Sequence, residues 1–328
     1  DYVRTALEPC RVQFVGDASI YCGATGPGRH TYDSFDALGL WTEDTDKVCM
    51  CAKCASPIRL PDGSLVTRGK NRKSSEREAE FLCNQFFANA CAMINQVNVY
   101  ASRNLRVESI AYAWMAPVPR FELSRNYHVR FCPYVRKDYF QPIYAPFNDR
   151  WWRQVNRWGQ TGAHLAFYEY FLFVNCRPWA DVFKLDQAAE TGAGLEDEIL
   201  EGDGDFTKME RWVVTRLMWE PDADVMALRK YFLRRTYREA APEMEKFWFT
   251  FYGAVYGRYA PSRVLEFEAD QEMARFARTM KATHGGGTLL DELTRYLDAA
   301  RQAVRNPAAK QQLEEFRAEW DKYVQTAK

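Results

Sequence analysis

The sequence predicts an α/β protein of the TIM-type (β/α) barrel class, represented by the C-terminal part of such a barrel and followed by an all-α region. Three observations predict it. Strand-like runs alternate with helical segments as far as residue 205, which argues for βα units on a parallel sheet. No G-x-G-x-x-G follows any of these runs, which removes the dinucleotide reading of a doubly wound sheet. From residue 206 onward the pattern is helical only. The expected organisation is therefore a barrel-type domain at 1–205 and a helical region at 206–328. Only five strand-like runs can be read where a closed barrel has eight, so about three further strands are expected upstream of Asp1.

The elements follow in order. FDALGLWTE (35–43) is an apolar run ended by acids, as expected of a first strand. Ser75 with Glu78 has the spacing of a capping box and opens a helix through the apolar run that follows. LRVESIAYAW (105–114) reads as a buried strand, NYHVRFCPY (126–134) as a third and HLAFYEYFLF (164–173) as a fourth. Between the last two, DRWWRQVNRWGQ (149–160) reads as a short helix with Gly159 near its end. GAGLEDEIL (192–200) is the fifth strand. Beyond 206, Met209, Trp212, Val213, Arg216 and Leu217 fall at helical spacing up to Pro221. Two more helices flank Pro242, and another two fill 261–328 on either side of the HGGG segment at 284–287, read as a flexible linker.

Composition narrows the function. Charge is balanced, 44 basic against 44 acidic residues, which gives no global attraction for nucleic acid or an anionic membrane. No apolar run approaches the roughly eighteen residues of a membrane span. Aromatic residues make up 15% of the chain, an excess that fits either a bulky core or a surface that stacks on flat ligands and sugar faces. The chain begins with Asp1, as a mature form or a fragment would, and its nine cysteines are an odd number; an exported location is slightly favoured.

Several segments in this order carry a resemblance: the strand ending at Glu43 and Asp44, the C-x-C-x-x-C of Cys49, Cys51 and Cys54, AYAWMAPVP (111–119), HVRFCPY (128–134), the Trp158 helix with the YEYF after it, and RWVVTRLMWEPDADV (211–225). Together, over roughly residues 35–260, they resemble a family of bacterial proteins from polysaccharide-degrading systems, described as a domain of unknown function, whose barrel is similar to those of α-glucuronidases and β-hexosaminidases. The resemblance implies a glycoside-hydrolase-type barrel with a carbohydrate substrate, followed by a helical region.

Glycoside hydrolysis uses two carboxyl groups flanking the bond, and in a barrel these sit at the C-terminal strand ends. The acids that meet this placement are Glu43, Asp44, Glu169 and the run containing Glu198. With three strands upstream, Glu43 and Asp44 end the fourth strand and Glu169 lies on the seventh, an arrangement similar to that of many retaining barrel glycosidases. The resemblance ranks Asp44 above Glu43, and it also allows the two to act as a pair with the nucleophile supplied by the substrate's own acetamido group. Trp41, Tyr112, Trp114, Tyr134, Tyr168 and Tyr170 stand at or near strand ends, where they could stack on sugar rings; alternation places Tyr168 and Tyr170 on one face and Glu169 on the other. Cys49, Cys51 and Cys54 offer three thiols toward a structural zinc, which takes four ligands; a disulfide and plain thiols are the alternatives. No cofactor is required for the expected chemistry. The rival readings are a non-catalytic carbohydrate-binding relative and a zinc-dependent hydrolase built on the cysteine cluster.

Overall fold

The computed structural model describes residues 37–39, 51–60, 62–68, 76–101, 106–112, 115–133, 141–169, 179–200, 208–257, 277–284 and 286–326. By its internal contacts the chain divides into two compact units. The first comprises Asp1–Tyr134, Trp151–Glu169 and Glu190–Ile199, the second Val135–Arg150, Tyr170–Ala189 and Leu200–Lys328.

In the first unit, β1 (Ala37–Gly39) is followed by α1 (Ala52–Ala55), the hairpin β2 (Ile58–Arg59) and β3 (Leu65–Val66), α2 (Glu76–Ala101), β4 (Arg106–Ala111), β5 (Tyr127–Phe131), α3 (Asp149–Gly159) and β6 (His164–Glu169). After α4 (Trp179–Gly192), whose length is shared between the units, β7 (Leu195–Leu200) completes a five-stranded sheet of order β1-β4-β5-β6-β7. The β1–β4, β4–β5 and β5–β6 pairings are all parallel.

The sheet has two unlike faces because its strands alternate. Val107, Ser109, Ala111, Tyr127, Val129, Phe131, Leu165 and Phe167 are buried to 1% or less. Aromatic rings of α2 and α3 close over this side. Phe87 lies edge-on to Tyr127 and to Trp158, with centroids 5.7 and 5.2 Å apart, and Phe131 meets Trp151 at 6.2 Å. The Trp158 indole N–H donates to the Ala116 carbonyl at 3.0 Å, so the buried ring leaves no polar group unsatisfied. Gly159 ends α3 where a Cβ would lie 1.9 Å from the Ala193 carbonyl oxygen, so only glycine permits this close approach of backbones. The expected Ser75–Glu78 capping box involves Ser75, which lies outside the described residues; the Glu78 carboxylate pairs with Arg68 at 2.6 Å.

The second unit holds α5 (Lys208–Trp219), α6 (Val225–Tyr237), α7 (Ala241–Gly257), the hairpin β8 (Thr283–His284) and β9 (Gly287–Thr288), α8 (Leu289–Ala303) and α9 (Pro307–Thr326). Met209, Val213 and Leu217, the inner positions of the expected helical stripe, are buried, while Trp212 packs at the edge of the core. That core has an aromatic cluster within it: Phe247 contacts Trp320 at 5.1 Å and Phe316 at 5.4 Å, both edge to face. Asp224 caps α6 through the Ala227 N–H, and Thr288 with Asp291 forms a reciprocal capping box on α8.

Two expectations are corrected. The TIM-type barrel is not what forms: among the described residues the five strands make an open sheet with β1 and β7 at its edges. The physical reason is visible in the sheet face turned away from α2 and α3. A barrel interior is filled by layers of branched apolar side chains, whereas this face carries Glu108, His128, Arg130 and His164, all partly exposed. The all-α expectation for the C-terminal region also gives way, because the HGGG segment read as a linker is part of the β8–β9 hairpin, with Gly286 at φ +89°.

Candidate functional site

The half-exposed face of the sheet is where polar chemistry gathers. Parallel register sets Glu108 of β4 beside His128 of β5, and His128 beside His164 of β6. The two imidazoles stack, with centroids 4.5 Å apart and planes inclined by 21°. One step along the strands, Arg130 stands between Ile110 and Ala166, and its guanidinium donates to the Glu108 carboxylate at 3.0 Å. Arg106 approaches the other Glu108 oxygen at 4.0 Å. Glu108 and Arg130 retain 21% and 25% side-chain exposure, so the pair is screened only in part from water.

Toward the carboxyl ends of the strands the face changes from charged to aromatic. Tyr112 follows β4, the buried Cys132 follows β5, and Tyr168 is the penultimate residue of β6. The Cys132 amide donates to the Ala111 carbonyl at 3.1 Å, which carries the β4–β5 ladder one residue past the strand and fixes where Tyr112 begins its departure. In open parallel sheets ligands bind outside the carboxyl ends of the strands, and Tyr112 and Tyr168 stand at that edge on either side of β5. The opposite face holds the polar pair Ser109 and Tyr127, whose hydroxyls bond at 2.8 Å; burial pushes the Tyr127 phenol well up, and no solvent reaches it.

Among the expected catalytic acids, Glu169 is the last residue of β6 and Glu198 the fourth of β7. Glu43 and Asp44, together with Trp41, Trp114, Tyr134, Tyr170 and Cys49, lie outside the described residues. Of the expected aromatic platform, Tyr112 and Tyr168 are therefore brought to one sheet edge. Glu108, His128, Arg130 and His164 were not expected. The signal that could have found them is the alternation itself: each occupies the polar position of a period-two pattern in its strand.

The cysteine segment is local. Cys51 caps α1, its sulfur accepting the Cys54 N–H at 3.4 Å, and the Cys54 carbonyl accepts from Gln85 of α2 at 2.9 Å. An amide N–H directed at sulfur suits a thiolate, and the C-x-x-C spacing suits two zinc ligands out of four. Among the described residues no group of three or more His, Cys, Asp or Glu side chains is placed to hold a metal ion. None of the described helices is long and apolar enough to cross a membrane.

A family model described as a domain of unknown function, DUF4838, matches residues 37–248, well over half of the chain. The chain belongs to this family. Neither a curated protein nor a solved structure matches it. The DUF4838 match runs from the first residue of β1 into α7, so it takes in the whole described five-stranded sheet and the helices α5 and α6.

Proposed function

We propose that this DUF4838 protein is a glycoside hydrolase acting on an oligo- or polysaccharide, with the sugar bound at the carboxyl edge of the parallel sheet. The observation that carries this reading is the register that brings Tyr112 and Tyr168 to one edge, beside the strand end at Glu169 and above the polar row of Glu108, Arg130, His128 and His164. Sugars need both kinds of surface: flat apolar rings against the C–H face of a pyranose, and charged or imidazole groups for the hydroxyls. The two tyrosines supply the first, and Arg130 with the histidines the second.

Glu169 acts as one carboxyl group of the pair, and Asp44, five residues beyond Gly39 in the chain, as the other. One protonates the glycosidic oxygen; the other takes the proton of the attacking water or bonds to the anomeric carbon, as hydrolysis with inversion or retention requires. The test is turnover on a panel of aryl glycosides and polysaccharide oligomers. The expected result is cleavage of at least one, lost by a factor of about 10³ or more in Glu169→Gln and Asp44→Asn, the range in which loss of an essential acid or base falls. Oligosaccharide binding without turnover would instead assign a non-catalytic carbohydrate-binding relative.

A further inference from the structure

Residues 51–54 carry two thiols on a single turn of the chain. Cys51 is exposed and Cys54 half-buried, and neither is in a disulfide. The turn is closed by its own hydrogen bonds: the Ala55 N–H donates to the Cys51 carbonyl at 2.9 Å, and the Ser56 hydroxyl to the Ala52 carbonyl at 2.6 Å. Gln85 of α2 holds the same turn from outside, through the Cys54 carbonyl at 2.9 Å. Across one helical turn the Cα atoms of residues i and i+3 stand about 5 Å apart, within the roughly 4.4–6.8 Å that a disulfide spans. The backbone is therefore shaped for a bridge while both sulfurs are still thiols.

The two sulfurs are not equivalent. The Cys54 N–H points at the Cys51 sulfur at 3.4 Å, and a donor in that place favours the thiolate, the nucleophilic form. Cys51 is also the more exposed of the two, so a reagent in solution reaches it first. The other described thiols compete poorly: Cys83 and Cys132 are fully buried, and burial pushes the half-buried Cys91 thiol above its ordinary range. Two thiols are only half of what a structural zinc takes. For thiol–disulfide exchange they are the complete set.

The geometry points to Cys51 and Cys54 as a thiol–disulfide exchange pair whose co-reactant is a low-molecular-weight disulfide. The Cys51 thiolate attacks one sulfur of that disulfide, forming a mixed disulfide and expelling one small thiolate. The Cys54 thiolate then attacks the Cys51 sulfur and expels the second. One S–S bond is broken and one is made. The protein pair gives up two electrons, the small disulfide takes them, and the two cysteine protons leave with the two released thiols. The inference goes beyond the hydrolytic site and does not depend on it.

Glutathione tests it on the whole chain. The protein is reduced, equilibrated in mixtures of oxidised and reduced glutathione, quenched with acid, alkylated in denaturant and cut with trypsin. Lys53 lies between the two cysteines, so cleavage there parts residues 48–53 from residues 54–59, and only a bridge keeps the two peptides joined. Cys49 shares the first peptide, so a Cys49→Ser variant is run beside the unaltered chain. The joined pair should form in both, part again in excess reduced glutathione, and be lost in Cys51→Ser. Cys54→Ser should instead hold one glutathione on Cys51, while Cys83, Cys91 and Cys132 are recovered as thiols. Circular dichroism confirms that the variants fold. Joined peptides that never form, that persist in Cys51→Ser, or that form only after a chelator strips a bound metal overturn the inference, the last result assigning the thiols to that metal.

Discussion

Arg229 grips Glu210 with two nitrogens, at 2.7 and 2.8 Å, and both residues are 2% exposed. The remaining partners complete the set. The Ala180 N–H and the Tyr252 hydroxyl donate to the same carboxylate at 3.0 and 3.1 Å, and Asp181 takes a third guanidinium nitrogen at 2.7 Å. Burial alone would lower the Arg229 pKa, and the Glu210 charge more than offsets it, so the guanidinium stays protonated well above its ordinary value. One network thus ties the first turn of α4 to α5, α6 and α7.

Removing one member should be much worse than removing both. Glu210→Gln or Arg229→Met leaves an uncompensated buried charge or a broken network and should cost about 3–5 kcal/mol. The double variant Glu210→Leu with Arg229→Met should recover most of that loss, since apolar replacement of a buried pair is often neutral. Urea unfolding of the three variants measures this, and a double variant as unstable as the sum of the singles would show that the network contributes beyond charge pairing.

Buried thiols offer a second check. Cys83 and Cys132 are fully buried, the Cys83 thiol donates to the Pro117 carbonyl at 2.7 Å, and burial pushes its pKa far up. Alkylation of both in the native protein should be slower than in the denatured chain by about a thousandfold or more, the factor by which a stable fold suppresses its open form. Mass spectrometry after timed alkylation reads each site separately. Fast native modification of Cys83 would place α2 away from the sheet.

The strands were legible because their alternation is strong: Arg106-Val107-Glu108-Ser109-Ile110-Ala111 writes one buried and one half-exposed face into six residues. Closure was not legible. Counting strands says nothing about whether the first and last pair, and Glu108, whose charge argues against a filled interior, falls within a run that reads as a buried strand. Tyr112 and Tyr168 could be named from their places at strand ends. The His128–His164 stack and the Arg130–Glu108 pair could not, because each joins residues of separate strands through register alone. The β8–β9 hairpin escaped for a different reason: two residues per strand carry no periodicity.

The start of α8 should respond to acid. Glu292 accepts from the Tyr296 hydroxyl at 2.6 Å and also bonds His284 of the hairpin; these two hydrogen bonds, in that order, hold its pKa below the ordinary 4.5. A depressed carboxylate contributes stability that is fully present above pH 4.5 and is lost as the pH falls through the lower folded value. Titration of the Glu292 carboxyl carbon by NMR should therefore give a midpoint below 4.5, and Tyr296→Phe should raise it. A midpoint unmoved by that substitution would leave His284 as the dominant partner.

Arg130 and Phe131 are neighbours on β5 that point to opposite faces, and the contrast between them tests the sheet most directly. Phe131 is fully buried among Phe167, Trp151 and Trp158, so Phe131→Ala should cost about 3–5 kcal/mol. Arg130 is a quarter exposed and its pairing with Glu108 is partly solvated, so Arg130→Ala should cost less than about 1 kcal/mol. If the polar face binds sugar, the effects on ligand reverse: Arg130→Ala should weaken oligosaccharide binding about tenfold or more, since a lost charged hydrogen bond is worth about 1.5–3 kcal/mol. Thermal unfolding and binding of the same two variants, measured side by side, decide the matter. A destabilising Arg130→Ala with unchanged affinity would make the polar row a structural strut and move the ligand elsewhere along the carboxyl edge.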